Sequence, residues 1–379
     1  MNRRKFAIGI GASLLAASAT SAQSQDDGAI HDILQHRIDV EKLTIGMAVC
    51  VVTPAHNSFV AYGRERISSN QPVTANTVFE IASLTKIFTA LLLANMVRRS
   101  EVALEDPVSH HLPSDFQFPA ADNRQITLAD LATHTSGLPS FPTFPGTAFT
   151  PEWYDALARF SVQDLKAWLK EFRPKRPARE AWEYSNMGYA LLGLALAHRS
   201  GKPYEELLQE RVIHPLGLAD TIFRPTASMQ PRVAEGHYWT LKPIPPFDFG
   251  IWAAAGALRS TPRDLTRFAT ALLPGSRSLV AQDQEFLLTL HRAAPSLGGE
   301  QALGWELLDA PAGGSFLSKD GVSWGQAASM VVDTQQRRAV VVFSNTLPHF
   351  TSHTPPSGGG VGAADIARHL LRSAIPLGY

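Results

Sequence analysis

The sequence predicts a mixed α/β fold of the α+β kind. One antiparallel sheet is built from both chain ends, flanked by the terminal helices, with a mostly helical domain inserted between. Two observations predict it. Apolar, β-branched runs of strand length occur near both ends, whereas residues 81–300 carry almost only helical periodicity and helix caps. In addition, a helical apolar stripe accompanies each β-rich end, and such a stripe must be buried against another layer. The expected division is a signal peptide at 1–22, a sheet domain from 29–80 plus 301–379, and an inserted helical domain at 81–300. A site would sit in the cleft between the two lobes.

The chain opens MNRRKFAIGIGASLLAASATSAQS. Arg3, Arg4 and Lys5 precede an apolar run from Phe6 to Ala17 and the small-residue cleavage site Thr20-Ser21-Ala22. This is an export signal by the Sec or twin-arginine route, too short for a membrane span, so a periplasmic or secreted location is expected without stable membrane insertion. Its removal takes away three of the 34 basic residues and none of the 34 acidic ones, so the mature chain is close to neutral. Nucleic acid and anionic membrane surfaces are not expected as partners. A monomeric state is expected. The single cysteine, Cys50, lies in GMAVCVV and reads as a small core residue.

Residues 29–43 place Ile30, Ile33, Leu34 and Ile38 on one helical stripe. TIGMAVCVVTP and SFVAYGRERI follow as two strands joined at Ala55-His56-Asn57. SVQDLKAWLKEF opens with Ser161 three residues before Asp164, a capping-box-like start. Thr261-Pro262-Arg263-Asp264 combines a cap, a proline at the first helical position and an acid in the first turn. Proline-rich stretches such as PSFPTFPGTAFTP and TLKPIPPFDF read as surface loops. GSFLSKDG, AASMVVDT and RRAVVVFSNT are three further strands, with a hairpin turn over Asp333 to Arg337, and GAADIARHLLRSA closes the chain as a helix.

The chemistry begins at IASLTK. Ser83 and Lys86 lie one helical turn apart, at the start of a helix that buries Ile87, Phe88, Leu91, Leu92 and Met96. A lysine in so apolar a helix must find partners or lose its charge, and either outcome suits activation of a neighbouring hydroxyl. The plain alternative is a serine cap beside a lysine reaching for solvent. In EYSNMGYALLGLALAH, Tyr184 and Asn186 stand two apart in an extended segment and can face one cleft. A phenol with an ordinary pKa near 10 needs roughly 4 kcal/mol from nearby cations to act as a base near neutrality; alternatively Tyr184 packs and Asn186 caps its helix. Lys319-Asp320-Gly321 lies in a strand beside a hairpin. Gly321 there permits close backbone approach, and Lys319 supplies a second positive charge unless it simply faces solvent. The backbone amides of Ser83 and Val322 can together form an oxyanion hole.

Ser-x-x-Lys, Tyr-x-Asn and Lys-x-Gly in this order resemble the serine β-lactamase and penicillin-binding-protein superfamily. Tyrosine in the second motif points to the class C β-lactamase branch and its DD-peptidase relatives, the AmpH-like carboxypeptidase/endopeptidases among them. FEIASLTKIFTALLL, ITLADLATHTSGLP, HPLGLADTIF, GALRSTPRDLTRF and LGWELL look like that family's framing segments, and the resemblance spans residues 29–346. It implies a small-molecule or peptidoglycan-derived substrate, with Ser83 as the acylated nucleophile and Lys86 stabilising the site. It further implies that Tyr184 is the general base, helped by Lys319, and that Asn186 binds the substrate's amide carbonyl. Whether Lys86 or Tyr184 takes the first proton stays open. His134 in THTSGLP reads as structural. No cofactor or metal is implied; His349 and His353 are too sparse for zinc, and SGGGVG at 357–362 reads as a flexible connection.

One position departs from the family. Asp320 stands where its strongest β-lactamases carry threonine, whose hydroxyl helps hold the substrate's carboxylate. A carboxylate facing the cleft there would repel one ~4 Å away by about 1 to 4 kcal/mol. It would favour esters, amides or peptides without a free terminus, unless Asp320 points to the other face. Three functions therefore stand at this level: a hydrolase of β-lactam or D-alanyl peptide amides, an esterase or D-amino-acyl amidase, and a penicillin-binding sensor or scaffold that does not turn over.

Overall fold

The computed structural model describes residues 26–118, 125–146, 150–276, 278, 280–309, 314–348 and 363–372. The expected signal peptide, His349, His353 and the SGGGVG run lie outside them. Eight strands form one antiparallel sheet: β1 (Gly46–Val52), β2 (Asn57–Gly63), β3 (Arg292–Ala294), β4 (Gly299–Gln301), β5 (Glu306–Asp309), β6 (Ser315–Val322), β7 (Ala327–Asp333) and β8 (Arg338–Ser344), in the order β2-β1-β8-β7-β6-β5-β4-β3. The two chain ends meet where β1 pairs with β8, Met47 opposite Ser344 and Val52 opposite Ala339. The strands expected near both ends are present. In addition β3 and β4 join the sheet ahead of residue 301; at three residues each, they are too short to show a period-two pattern in the sequence.

Both faces of the central strands are covered. Hence β1 is buried along its whole length and reads as a continuous apolar run, whereas the edge strand β2 alternates. Alternation then sends side chains to two separate cores. On one face Val49, Val51, Val331, Val340 and Val342 meet Ile30, Ile33 and Leu34 from a first helix at 26–35 (α1). Ile366, Ala367 and Leu370 from a last helix, Ala363–Arg372, lie in the same cluster. The first helix ends in a π-helical turn, His36–Val40, and does not continue to 43. On the other face Cys50, Val52, Val332 and Val341 join the main core with the helix Thr85–Arg98 (α2) and Phe268 of the helix Pro262–Leu272. Cys50 is fully buried, and burial pushes its thiol up to about 12, so it is a core residue.

The helix starts follow their caps. Ser161 and Asp164 exchange both bonds of a capping box ahead of Val162–Glu171, and Thr261 accepts from the Asp264 amide ahead of Pro262. Between residues 81 and 300 the short pairings Arg259–Ser260 with Phe79–Glu80, and Gly236–His237 with Pro243–Ile244, interrupt the helices. No helix among the described residues is long and apolar enough to cross a membrane.

The parity of β6 matters most. Phe316 and Val322 face the terminal helices and Leu317 faces the main core, so Asp320 shares the side of Phe316 and Val322. Its carboxylate accepts from Ser329 Oγ at 2.6 Å and from Arg368 Nη1 of the last helix at 2.9 Å. Both members of this pair are mostly buried, 16% and 15% exposed. Arg368→Met should therefore leave a poorly solvated carboxylate behind and lower stability by about 1–3 kcal/mol, measured as a shifted urea midpoint. An unchanged midpoint would show that the pair does not fasten the last helix.

Candidate active site

Ser83 sits in a single 3-10 turn, Ala82–Leu84, that leads directly into α2. The residue before it, Ala82, has a left-handed backbone (φ 44°), which turns the serine out of the helix line and towards β6. Ser83 Oγ lies 3.0 Å from Lys86 Nζ and accepts from the Tyr184 hydroxyl at 2.8 Å. Lys86 Nζ also donates to Asn186 Oδ1 and to the Ala255 carbonyl, each at 2.7 Å. Asn186 is the first residue of the helix Asn186–Ser200, whose cap is the preceding Ser185; the carboxamide is thus free to donate through Nδ2 to Ser140 Oγ at 2.8 Å. The expectation that Asn186 and Tyr184 could face one cleft is matched by this geometry.

Lys319 arrives from the opposite wall. Its Nζ lies 4.8 Å from the centre of the Tyr184 ring, and Lys86 Nζ lies 5.0 Å from it. The two lysines hold their protons with unequal strength because they differ in partners. Burial, then the nearby Lys319 charge, lower the Lys86 pKa well below the ordinary lysine value, and Glu306 offsets this only in part. Burial also works against the Lys319 charge, but the Glu306 carboxylate at 2.9 Å, with smaller help from Tyr184 and Asp320, more than offsets it and raises that pKa. Tyr184 does not match the lowered phenol anticipated from sequence. Burial raises its pKa more than Lys319 and the Ser83 hydrogen bond lower it, so it rests as a protonated donor.

Gly321 lies beside the nucleophile. A Cβ there would sit 2.2 Å from the Ile81 carbonyl oxygen and 3.0 Å from the Ser83 amide nitrogen, so only glycine lets β6 approach the serine turn. Ser83, Tyr184, Asn186, Lys319 and Val322 line one cleft of about 1000 Å³, part of it open to solvent.

A family model described as Beta-lactamase matches residues 30–355. The chain belongs to the beta-lactamase family. The D-alanyl-D-alanine-carboxypeptidase/endopeptidase AmpH of Escherichia coli (strain K12) is 30% identical over 326 residues, covering 80% of this chain and 81% of the relative. A beta-lactamase of the same strain is 28% identical over 295 residues, covering 78% and 74%. A solved class C beta-lactamase superposes with a TM-score of 0.76 at 21% identity over 92% of this chain and 96% of its own, a likeness of fold. The chain is a serine hydrolase of this class C-like family.

Of the residues singled out in the sequence, this family member departs from expectation at Asp320. Asp320 lines the cleft, but its carboxylate is held by Ser329 and Arg368 and is not left free to meet a substrate. The charge argument against a carboxylate-bearing substrate lapses with it. Two contributors, Glu306 and Ser140, went unrecognised, whereas His134 was read as structural. Glu306 lay unnoticed inside LGWELL, because its partner Lys319 is 13 residues away across two strands. Ser140, the residue after THTSGLP, reaches Asn186 only in the folded chain. His134 is buried with a left-handed backbone, accepts the Ser185 amide on Nδ1 at 3.0 Å and packs its ring 4.4 Å from that of Tyr184. Burial, then the Lys319 charge, lower the pKa of this imidazole well below the ordinary histidine value.

Gly321→Ala should therefore push β6 off the serine turn. We expect a stability loss of about 1–3 kcal/mol from overpacking and a fall in kcat/KM of roughly a hundredfold from displacement of the reacting groups. Thermal melting and initial rates on one preparation check both; wild-type rates would show that the approach is not needed.

Proposed function

We propose that the chain is a monomeric, periplasmic or secreted hydrolase that opens β-lactam or D-alanyl peptide amide bonds through an acyl-enzyme on Ser83. The observation that carries this is the placement of the Ser83 hydroxyl between the Lys86 amine and the Tyr184 phenol. The relative AmpH, a D-alanyl-D-alanine-carboxypeptidase/endopeptidase, supports the substrate class. Lys319, Asn186, Gly321 and Val322 complete the arrangement.

The directions of the pKa shifts favour Lys86 as the first base. A neutral Lys86 has two N–H bonds, and Asn186 Oδ1 and the Ala255 carbonyl take both. Its lone pair is left for the Ser83 proton, while Tyr184 donates to the same oxygen. Lys86 takes that proton as Oγ attacks the carbonyl carbon, and the backbone amides of Ser83 and Val322 receive the developing oxyanion. Tyr184 then protonates the departing nitrogen. The proton held by Lys86 restores the phenol, whose transient negative charge lies between two ammonium groups. Water next replaces the leaving group, and the same transfers run in reverse to release the acid. Asn186, fixed by Lys86 and Ser140, presents its amide to the acyl chain of the substrate.

A fluorescent penicillin should label the wild-type protein and the label should decay on chase, whereas Ser83→Ala should take none. Stable label would make the protein a sensor; turnover surviving in Ser83→Ala would overturn the mechanism. The pH profile has a definite sign. The reactive form needs Lys86 neutral and Lys319 charged, so kcat/KM should rise with pH through the lowered Lys86 pKa. It should fall only above the ordinary lysine range, because the Lys319 pKa is raised. Glu306→Gln removes the charge that raises Lys319 and should move the alkaline limb to lower pH, by a unit or more.

A further inference from the structure

The segment that carries Tyr184 lies along the turn after the short helix Leu128–Ala132, and one residue of that turn holds it twice. His134 accepts the Glu183 amide on its backbone carbonyl at 2.8 Å and the Ser185 amide on Nδ1 at 3.0 Å. The residue between these two donors is Tyr184. Ser185 is extended (φ −133°, ψ 109°), and in an extended stretch amides two apart point the same way, so a single residue can take both. The segments stay together on either side. The Arg179 amide donates to the Thr135 carbonyl at 2.7 Å, the Ser185 hydroxyl to the Pro139 carbonyl at 2.9 Å and the Met187 amide to the Ser140 carbonyl at 3.1 Å.

The imidazole also backs the phenol. Its ring centre lies 4.4 Å from that of Tyr184 at an angle of 34°, while Tyr189 at 5.2 Å and Trp182, edge-on at 6.2 Å, hold the imidazole itself. The Tyr184 hydroxyl then reaches Ser83 Oγ at 2.8 Å. His134 is 1% exposed, so it does not meet a substrate and can act only through its neighbours.

Packing alone does not account for a histidine here. Its backbone is left-handed (φ 58°), which disfavours a side chain of this size. Because Nδ1 accepts, the neutral ring carries its hydrogen on Nε2, and that buried nitrogen has no hydrogen-bond partner among the described residues. An unmet buried donor opposes stability, and an aliphatic side chain would avoid it. An aliphatic side chain could not accept from Ser185. The ring can do so only while unprotonated, and its lowered pKa keeps it available as an acceptor.

We propose that His134 is the positioning residue of Tyr184: by accepting the amides on both sides of it and backing its ring, it sets where the phenol hydroxyl meets Ser83. The inference rests on the acyl-enzyme reading, in which that hydroxyl serves the departing nitrogen.

Two substitutions of matched branching separate the acceptor from the filling of space. His134→Asn places an amide oxygen where Nδ1 stood and tolerates the left-handed backbone, whereas His134→Leu has no acceptor. Single-turnover labelling of Ser83 by a fluorescent penicillin, below the melting midpoint of each variant, gives the maximal acylation rate and the half-saturating concentration. We expect His134→Leu to lower the rate roughly tenfold to a hundredfold with the half-saturating concentration unchanged, and His134→Asn to recover most of the loss. In a Tyr184→Phe background His134→Leu should slow labelling no further, because the hydroxyl it positions is absent. Wild-type rates in His134→Leu, equal losses in the two variants, or the same loss in both backgrounds would overturn the proposal. Should His134→Leu not fold, His134→Gln replaces it; its oxygen lies one bond farther out, and a rate matching His134→Asn would overturn the proposal. Crystal structures give a readout independent of turnover. The Tyr184 hydroxyl should leave hydrogen-bond reach of Ser83 Oγ in His134→Leu and keep it in His134→Asn. If the wild-type protein takes no label, the acyl-enzyme reading falls, and these structures still decide whether His134 places Tyr184.

Discussion

The site depends on the burial of one amine. Lys86 has no exposed surface and is surrounded by a helix that is apolar on nearly every side. Holding an ammonium ion there unpaired would cost several kcal/mol, and no carboxylate among the described residues touches it. The amine therefore holds its proton far less tightly than an ordinary lysine and spends its bonds on Ser83, Asn186 and the Ala255 carbonyl. Those partners belong to three segments far apart in the chain. The same helix repeats the device one turn on, where Thr89 Oγ1 donates to the Ala254 carbonyl and bonds the Tyr204 hydroxyl. Polar groups on α2 thus fix the short helix Ala253–Gly256 against it.

A second lysine sets the contrast. Lys319 is as buried as Lys86, yet it keeps its charge because Glu306 is at hand. Its charge in turn lowers the Lys86 pKa. Two like side chains on opposite sides of one phenol consequently have pKa values shifted in opposite directions, which suits the proposed roles of base for Lys86 and fixed cation for Lys319. Placement of a single carboxylate decides which is which.

The alternation of β6 divides structure from chemistry. Lys319 and Gly321 face the serine turn, whereas Asp320 between them fastens the last helix. Both faces of the strand are covered, so composition does not reveal which side a given residue takes. An ionisable residue in a buried strand is as well suited to an interior ion pair as to a binding site. In Asp320 the ion pair won.

The motifs Ser83-x-x-Lys86, Tyr184-x-Asn186 and Lys319-x-Gly321 were legible in the sequence by themselves, as were the helix caps at Ser161 and Thr261 and the strands at both chain ends. Each of these rests on local spacing, periodicity or backbone freedom, which the order of residues carries directly. The direction of Asp320, the protonation of Tyr184, the partnership of Lys319 with Glu306 and the tie from Asn186 to Ser140 were settled only by the tertiary structure. All of these depend on burial and on distances between segments that are remote along the chain, because desolvation and Coulomb energies are properties of a position in space.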